Sequence, residues 1–362
     1  MKEYYLASQK IDYQVLNGIA DLVRVLNSEN KVIFVNRSME QVLGYDIENK
    51  VCNIEGSPFN PEITERALAT GQVIQREEII DNNYFSVKCS PIIGLEGSII
   101  GVVEVFRNIT TEKKLQRELI EKNKLMTNET IAASRVQQTM LPEKGFVKNV
   151  KLDYLYMPSN ILSGDIFDCF EINEDNIAVY IADTVGHGFA ASMVTMFIKS
   201  VLRILPKHVL LYPGKTLKNI NQRFSSLKLD IENYFTCFYG VYNRRDFTFT
   251  YANAGHLPLV MKCGEDKIEY LETEGFPISR LFVKSNYTEE CIKLYCSDRL
   301  LFMTDGIIEA KNSEGKVFGL RKVEKIMLQH HIDEMKILKN ELQKFLDTKQ
   351  RDDMSALLLN FW

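Results

Sequence analysis

No run of the 362-residue chain reaches the roughly 18 consecutive apolar residues that a membrane-spanning helix needs, so no transmembrane segment is expected. The seven cysteines are scattered, odd in number and never spaced Cys-x-x-Cys. That excludes a disulfide framework and a cysteine zinc site, and it makes the cytoplasm the expected compartment. Lysine and arginine nowhere cluster and the net charge is −4, so no groove for a nucleic-acid backbone is expected. Residues Met1–Asp12 lack the basic-then-apolar order of a secretory leader. No histidine precedes His187, and proline and glycine are sparse.

What remains is globular: 45% hydrophobic and 25% charged residues, at a length that suits two domains rather than one core. The first part reads as a small α+β unit. Apolar runs at 19–26 and 32–35 flank the turn Ser28-Glu29-Asn30 at hairpin distance. Short helical stretches follow at 38–43 and 62–69, then strand-like runs at 73–80, 84–91 and 98–106. Within the middle run Phe85, Val87 and Cys89 share one face, a period of two.

From Thr111 to Leu141 the chain is charged and free of breakers until Pro142. Leu115, Leu119, Met126, Ala133, Val136 and Met140 follow three-four spacing, with Lys122 and Glu129 interrupting the same seam. This is a helical linker, read either as one strand of a parallel coiled coil in a homodimer or as an amphipathic helix packed on its own subunit. It contains no histidine, which removes a sensor histidine kinase.

The order of elements, with Val35-Asn36 before a helix ending Leu43-Gly44-Tyr45 and three strands closing on Asn108-Ile109-Thr110, resembles a PAS sensor domain over residues 1–110. The resemblance leaves open a dimerisation scaffold or a ligand sensor, and the ligand is unknown. A haem-binding PAS domain would need a histidine here. A photoactive flavin domain would need a cysteine in an Asn-Cys-Arg-like motif, and Cys52 and Cys89 do not lie in one.

The remaining residues, 143–362, alternate strand-like runs with a few helices, as in a layered sandwich rather than a doubly wound sheet. Four stretches set Asp at a strand end or beside glycine: Ser163-Gly164-Asp165-Ile166-Phe167-Asp168, Ala182-Asp183-Thr184-Val185-Gly186-His187-Gly188, Met303-Thr304-Asp305-Gly306 and Arg351-Asp352-Asp353-Met354-Ser355. A buried strand-end aspartate is costly without a cation or hydrogen bonds. Any one of the four reads as a turn residue, and Asp305-Gly306 is a common hairpin dipeptide. Together they point to an oxygen-ligand site for hard divalent cations. Two decoys fall away. Gly214-Lys215-Thr216 ends like a phosphate loop, but Val209 stands where its first glycine belongs. Ser163–Phe167 superficially resembles the diguanylate-cyclase signature, with Ile166 in place of the catalytic glutamate.

The ordered set resembles the PPM family of metal-dependent phosphatases related to protein phosphatase 2C, in its bacterial sporulation and stress-response (SpoIIE-type) branch. Gln137-Gln138-Thr139-Met140-Leu141-Pro142 and Ala252-Asn253-Ala254-Gly255-His256-Leu257-Pro258 are further matches. The resemblance implies an αββα sandwich, so the whole chain is expected to be α+β: PAS fold, helical linker (111–142) and phosphatase domain. It implies two Mn²⁺ or Mg²⁺ ions, with room for a third. Asp183 would bridge the two, beside the main-chain carbonyl of Thr184, whose side chain would matter little. Asp305 and Asp352 would complete one shell, Asp165 would hold bound waters, and Asp168 and Asp353 would be candidates for the third ion. His187 would act on the leaving group, ligate a metal or fix its loop, and His256 would be structural. The implied reaction is hydrolysis of phosphoserine or phosphothreonine on a protein such as an anti-sigma-factor antagonist, without a covalent phosphoenzyme. No cysteine here has the five-residue spacing to arginine of a cysteine phosphatase. The departures, Ser163, Thr184, Val185 and Ser355, remove no aspartate. The alternatives are a non-catalytic partner-binding module of a signalling complex, or a diguanylate-cyclase-like enzyme.

Overall fold

The computed structural model describes residues 14–43, 62–94, 96–186, 188–330, 332–347 and 350–362. Gly44, Tyr45, Cys52 and His187 lie outside the described residues. Contacts divide the chain into two compact units, Met1–Leu125 and Met126–Trp362.

In the first unit, β1 (Leu22–Asn27) and β2 (Val32–Val35) form a hairpin, followed by helices α1 (Arg37–Leu43) and α2 (Glu62–Thr70). Then come β3 (Ile74–Ile80), β4 (Asn83–Ile93) and β5 (Ile99–Asn108), and helix α3 (Thr110–Thr139) begins. The sheet is antiparallel in the order β2-β1-β5-β4-β3. Strand alternation sends Leu22, Leu26, Phe85, Val87, Cys89, Val102 and Phe106 to one face, where Met39, Ile63 and Ala67 of the helices cover them. The Asn36 side chain pins the segment that precedes β1, donating to the carbonyls of Ile19 and Asp21 and accepting from Val23 and Met39 N–H.

The second unit opens after α3 with β6 (Gly145–Val147), β7 (Val150–Met157), β8 (Asp165–Glu171) and β9 (Asn176–Thr184). Helices α4 (Phe189–Ile204), α5 (Lys207–Leu210) and α6 (Pro213–Ser226) follow. The strands β10 (Phe235–Asn243), β11 (Thr248–Ala254), β12 (Val260–Cys263), β13 (Ile268–Leu271), β14 (Glu290–Lys293) and β15 (Arg299–Met303) come next. The chain then runs through α7 (Asp305–Ile308), α8 (Leu320–Gln329), α9 (Glu334–Phe345) and β16 (Met354–Phe361). Two antiparallel sheets result, ordered β14-β11-β10-β9-β8 and β13-β12-β15-β16-β7-β6.

Period-two alternation builds three apolar layers from these sheets. Phe167, Ile181, Phe238, Phe302, Leu357 and Leu359 meet between the sheets. Ile166, Phe170, Tyr180 and Tyr239 point outward onto Ile198, Leu202, Leu217 and Phe224 of α4 and α6. Leu301, Met303, Ala356 and Leu358 face Val323, Met327, Leu338 and Leu342 of α8 and α9. The unit is therefore an αββα sandwich. Phe238 stacks on Tyr251 at 5.4 Å and meets Phe302 edge-on at 5.6 Å, locking the sheets together.

The P-loop decoy has a local explanation. Gly214 lies in the first turn of α6, and its N–H donates to Glu289 Oε1 at 2.8 Å, so a carboxylate of the chain itself occupies that helix end.

Inside the first unit Arg24 and Glu104 face each other across the β1–β5 register, ion-paired and almost wholly buried. Burial pushes the Glu104 carboxyl up and Arg24 pulls it down. Arg24→Met leaves a buried carboxylate without its cation and is expected to destabilise the unit by about 3–5 kcal/mol, whereas Arg24→Met with Glu104→Met should recover most of that loss. Urea unfolding of the two variants checks the difference.

Candidate active site

The four aspartate stretches lie at the ends of strands β8, β9, β15 and β16. Asp165 opens β8 and Asp183 is the penultimate residue of β9, and the two are direct partners across the antiparallel register. Both share the parity of Phe167 and Ile181, so both face the space between the sheets. Thr304 and Ser355 face the same space from the opposite sheet, by parity with Phe302 and Leu357. Asp305 begins α7 directly after β15, and Asp352 lies two residues before β16. Asp165 is buried, Asp183 and Asp305 are half-buried and Asp352 is exposed, so the carboxylates step outward from core to solvent.

Like charges directly opposite in a sheet repel. Burial, reinforced by Asp183, holds the Asp165 carboxyl well above the usual range. Burial, with Asp305 and Asp352 adding repulsion, pushes Asp183 up to about 7. Burial and then Asp352 raise Asp305 as well. Little in the protein offsets this charge: Asp165 receives the Thr304 hydroxyl at 2.9 Å, and Thr304 Oγ1 in turn accepts Ser355 N–H at 3.1 Å. The buried Ser355 hydroxyl lies beside the same carboxylate and draws its pKa down. Hard oxygen donors and mutual repulsion together fit a site for divalent cations. Among the described residues no three His, Cys, Asp or Glu side chains converge closely enough to hold an ion alone. Water and main-chain carbonyls would complete any shell.

The tripeptide that carries Asp165 is fastened at every turn. Gly164 N–H donates to Asp353 Oδ2 at 2.6 Å, and Gly164 O accepts both the N–H and the hydroxyl of Thr184, at 3.1 and 3.0 Å. Asp165 N–H donates to Ser163 Oγ at 3.0 Å. The side chain of Thr184, expected to matter little, thus ties the Asp183 strand to the Asp165 turn. A Cβ on Gly164 would lie 2.7 Å from Thr184 Oγ1, and one on Gly306 would lie 2.0 Å from Asp353 O, so both close approaches need glycine. Asp305-Gly306 is a helix start and not a hairpin turn.

The two second-rank aspartates are each committed to partners of their own, Asp353 beside the carboxylate cluster and Asp168 away from it. Asp353 gives both oxygens to main-chain amides, of Ser159 and Gly164, each at 2.6 Å. Asp168, three residues beyond Asp165, has the opposite parity. It faces the α4 side, bonded to Arg203 at 2.5 Å and Lys199 at 3.2 Å. The expectation of Asp168 as a third-ion ligand therefore fails on strand parity, which puts a sheet between it and the other carboxylates.

His256 is buried beneath the site. Its Nε2 donates to Met303 O at 3.1 Å and its Nδ1 meets the Thr236 hydroxyl at 3.0 Å, so the ring, kept neutral by burial, bridges the two sheets. Its backbone N–H and O are gripped by Asn253. Sequence reasoning missed the roles of Thr304, Ser355 and Gln137. Thr304 and Ser355 lie within the aspartate stretches, and alternation along β15 and β16 places them on the inner face.

The sequence profile of the family described as Stage II sporulation protein E (SpoIIE) matches residues 173–362, and a PAS domain profile matches residues 13–77. The chain belongs to the SpoIIE family. Phosphoserine phosphatase RsbU of Bacillus subtilis is 28% identical over 267 residues, spanning 72% of this chain and 76% of RsbU. Phosphoserine phosphatase RsbP of the same organism is 27% identical over 182 residues, 49% of this chain and 44% of RsbP. In fold, the chain is similar to the SiaA PP2C domain of Pseudomonas aeruginosa with a TM-score of 0.58 at 19% identity, covering 67% of this chain and 99% of that one. A Bacillus subtilis SpoIIE fragment with its PP2C domain gives 0.51 at 15% identity over 84% and 75% of the two chains. The SpoIIE-family chain is a protein-serine/threonine phosphatase, with a PP2C-type sandwich behind an N-terminal PAS domain.

Burial pushes the His256 pKa down to about 4 from an ordinary value near 6.5. A depressed histidine pKa means that the unfolded chain takes up the proton first. Stability is therefore full above pH 6.5 and is lost as pH falls toward 4, by at most about 3 kcal/mol. Thermal unfolding of the wild type and His256→Gln across pH 4–7.5 should show a shallower acid slope in the variant.

Proposed function

We propose that this chain hydrolyses phosphoserine or phosphothreonine on a small regulatory protein of the anti-sigma-factor-antagonist kind, under control of its PAS domain. The observation that carries the reading is the register pairing of Asp165 with Asp183 in a PP2C-type sandwich, with the charges of Asp305 and Asp352 near enough to raise the Asp183 carboxyl. The names of RsbU and RsbP, both phosphoserine phosphatases, support it. Asp183, the main-chain carbonyl of Thr184, Asp305 and Asp352 would hold two Mn²⁺ or Mg²⁺ ions, with Asp165 behind them. Such ions, when bound, supply an activated water and neutralise phosphoryl charge. Asp353, committed to two amides, keeps the Gly164 turn in place and stands outside this ligand set. The Thr304 hydroxyl donates to Asp165 Oδ2 and so orients that carboxylate. No side chain needs to form a covalent bond to phosphorus.

Control passes along α3 in this reading, and the chain acts as a homodimer. Leu115, Leu119, Met126 and Val136 are exposed on that helix, as a partner surface would be. Lys122 and Glu129 interrupt the seam, so pairing is weak and a coupling of about 1–3 kcal/mol can shift it. Among the described residues no helix is long and apolar enough to cross a membrane.

Asp183→Asn or Asp305→Asn should abolish Mn²⁺-dependent release of phosphate from a phosphoserine protein while leaving the circular dichroism spectrum unchanged. EDTA should silence the wild type. Full activity in either variant defeats the site, and a folded wild type that binds a phosphoprotein without turnover favours a binding module. For the linker, Lys122→Leu with Glu129→Leu should shift sedimentation toward dimer and fix the rate regardless of residues 1–110. Monomers with wild-type rates would contradict the dimer.

A further inference from the structure

Gln137 is the buried polar residue of the last turns of α3, an otherwise exposed and charged helix. Within the second unit its side chain reaches the turn before Asp165. Oε1 accepts the N–H of Ser163 at 3.1 Å, and Nε2 donates to the carbonyl of the same residue at 2.7 Å. The amide thus mimics a neighbouring strand, satisfying both main-chain groups of one residue. Nε2 also donates to Thr195 Oγ1 of α4 at 3.0 Å, and the Tyr156 hydroxyl of β7 approaches Oε1 at 3.4 Å. One carboxamide therefore joins α3, β7, α4 and the Ser163-Gly164-Asp165 turn. Helix α4 itself begins just past the loop that follows Asp183.

The other polar main-chain groups leading to Asp165 make no contact with α3: Gly164 N–H is held by Asp353, Gly164 O by Thr184, and Asp165 N–H by Ser163 Oγ within the turn itself. Ser163 is the one point of that turn held by α3. We propose that Gln137 is a positioning residue for the phosphatase reaction: its amide fastens the Asp165 turn to α3 and α4, so that a shift of α3 along its axis moves Asp165 relative to Asp183. The inference rests on the phosphatase reading for its consequence in turnover, and on the hydrogen bonds alone for its consequence in metal binding. Methionine at 137 would fill the same volume and lose all four polar contacts. Ser163 would then be left with a buried N–H and C=O unpaired, and the turn would relax to satisfy them.

The test uses the full chain with Mn²⁺ as the probe. Gln137→Met should weaken Mn²⁺ binding by calorimetry about 10-fold or more, as loss of an outer-shell partner does. It should lower kcat for a phosphoserine peptide with KM within about twofold, and speed amide exchange at Gly164 and Asp165. Gln137→Glu keeps the acceptor and the size but loses the donor. It should fall between Gln137→Met and wild type, and it serves if the methionine variant does not fold. Gln138→Ala, one exposed residue along, should match the wild type. A merely structural glutamine would lower the melting temperature and leave the Mn²⁺ titration superimposed on the wild type, and that result overturns the proposal. A weakened Mn²⁺ titration in a chain whose wild type releases no phosphate would instead sink the phosphatase reading and leave the positioning role standing.

Discussion

The repulsion between Asp165 and Asp183 organises the second unit. They are register partners on adjacent strands, facing inward at the edge of a close-packed inter-sheet layer. An arrangement of this kind is unstable unless the surrounding chain holds both carboxylates against their tendency to part or to take up protons. The surrounding bonds are suited to that. Thr304 from the opposite sheet donates to Asp165, Thr184 clasps the Gly164 carbonyl, and Asp353 receives the Gly164 amide. The polar edge is a set of constraints on one pair of like charges, and it has the form expected where a cation is to complete the balance.

The apolar layers explain why that edge stays in place. Phe238, Phe302 and Tyr251 interlock the sheets a few residues from the carboxylates, and His256 adds a polar bridge with its neutral ring between Met303 and Thr236. Burial of large aromatic side chains contributes roughly 1.5–3 kcal/mol each, enough to hold a charged rim that contributes nothing favourable by itself. The rim is affordable only because it sits on this core.

Much of this was legible in the sequence, for a physical reason. Central strands are long, apolar and alternating, so β4, β7, β10 and β16 and the helix α3 appear in the pattern within a few residues of their observed ends. The edge strands β6, β13 and β14 did not, because three or four residues of mixed polarity carry too little periodicity. In the site, the four aspartate stretches were visible as motifs, but which face each side chain takes depends on strand parity. Asp168 was grouped with Asp165 although an odd separation sends it to the other side of the sheet. Asp305-Gly306, taken singly, reads equally well as a hairpin turn, because the same dipeptide serves turns and helix starts. Gln137 and the Thr184 hydroxyl were not assigned their contacts, since partners 26 and 20 residues away leave no local trace.

The place of β16 has a consequence for biosynthesis. It lies between β15 and β7 in the middle of its sheet, pairing Phe361 with Val150 and Met354 with Met157, although these strands are separated by nearly the whole of the second unit in sequence. As the chain leaves the ribosome, β7 must wait for its neighbour until some two hundred further residues have been added, while the antiparallel sheet of the first unit already has all of its strands. The second sheet therefore cannot close until synthesis passes Phe361, and a transcript or protease that stops short of Met354 leaves its apolar faces open. Such a fragment exposes apolar strand faces and is expected to aggregate rather than to act as a partly active enzyme.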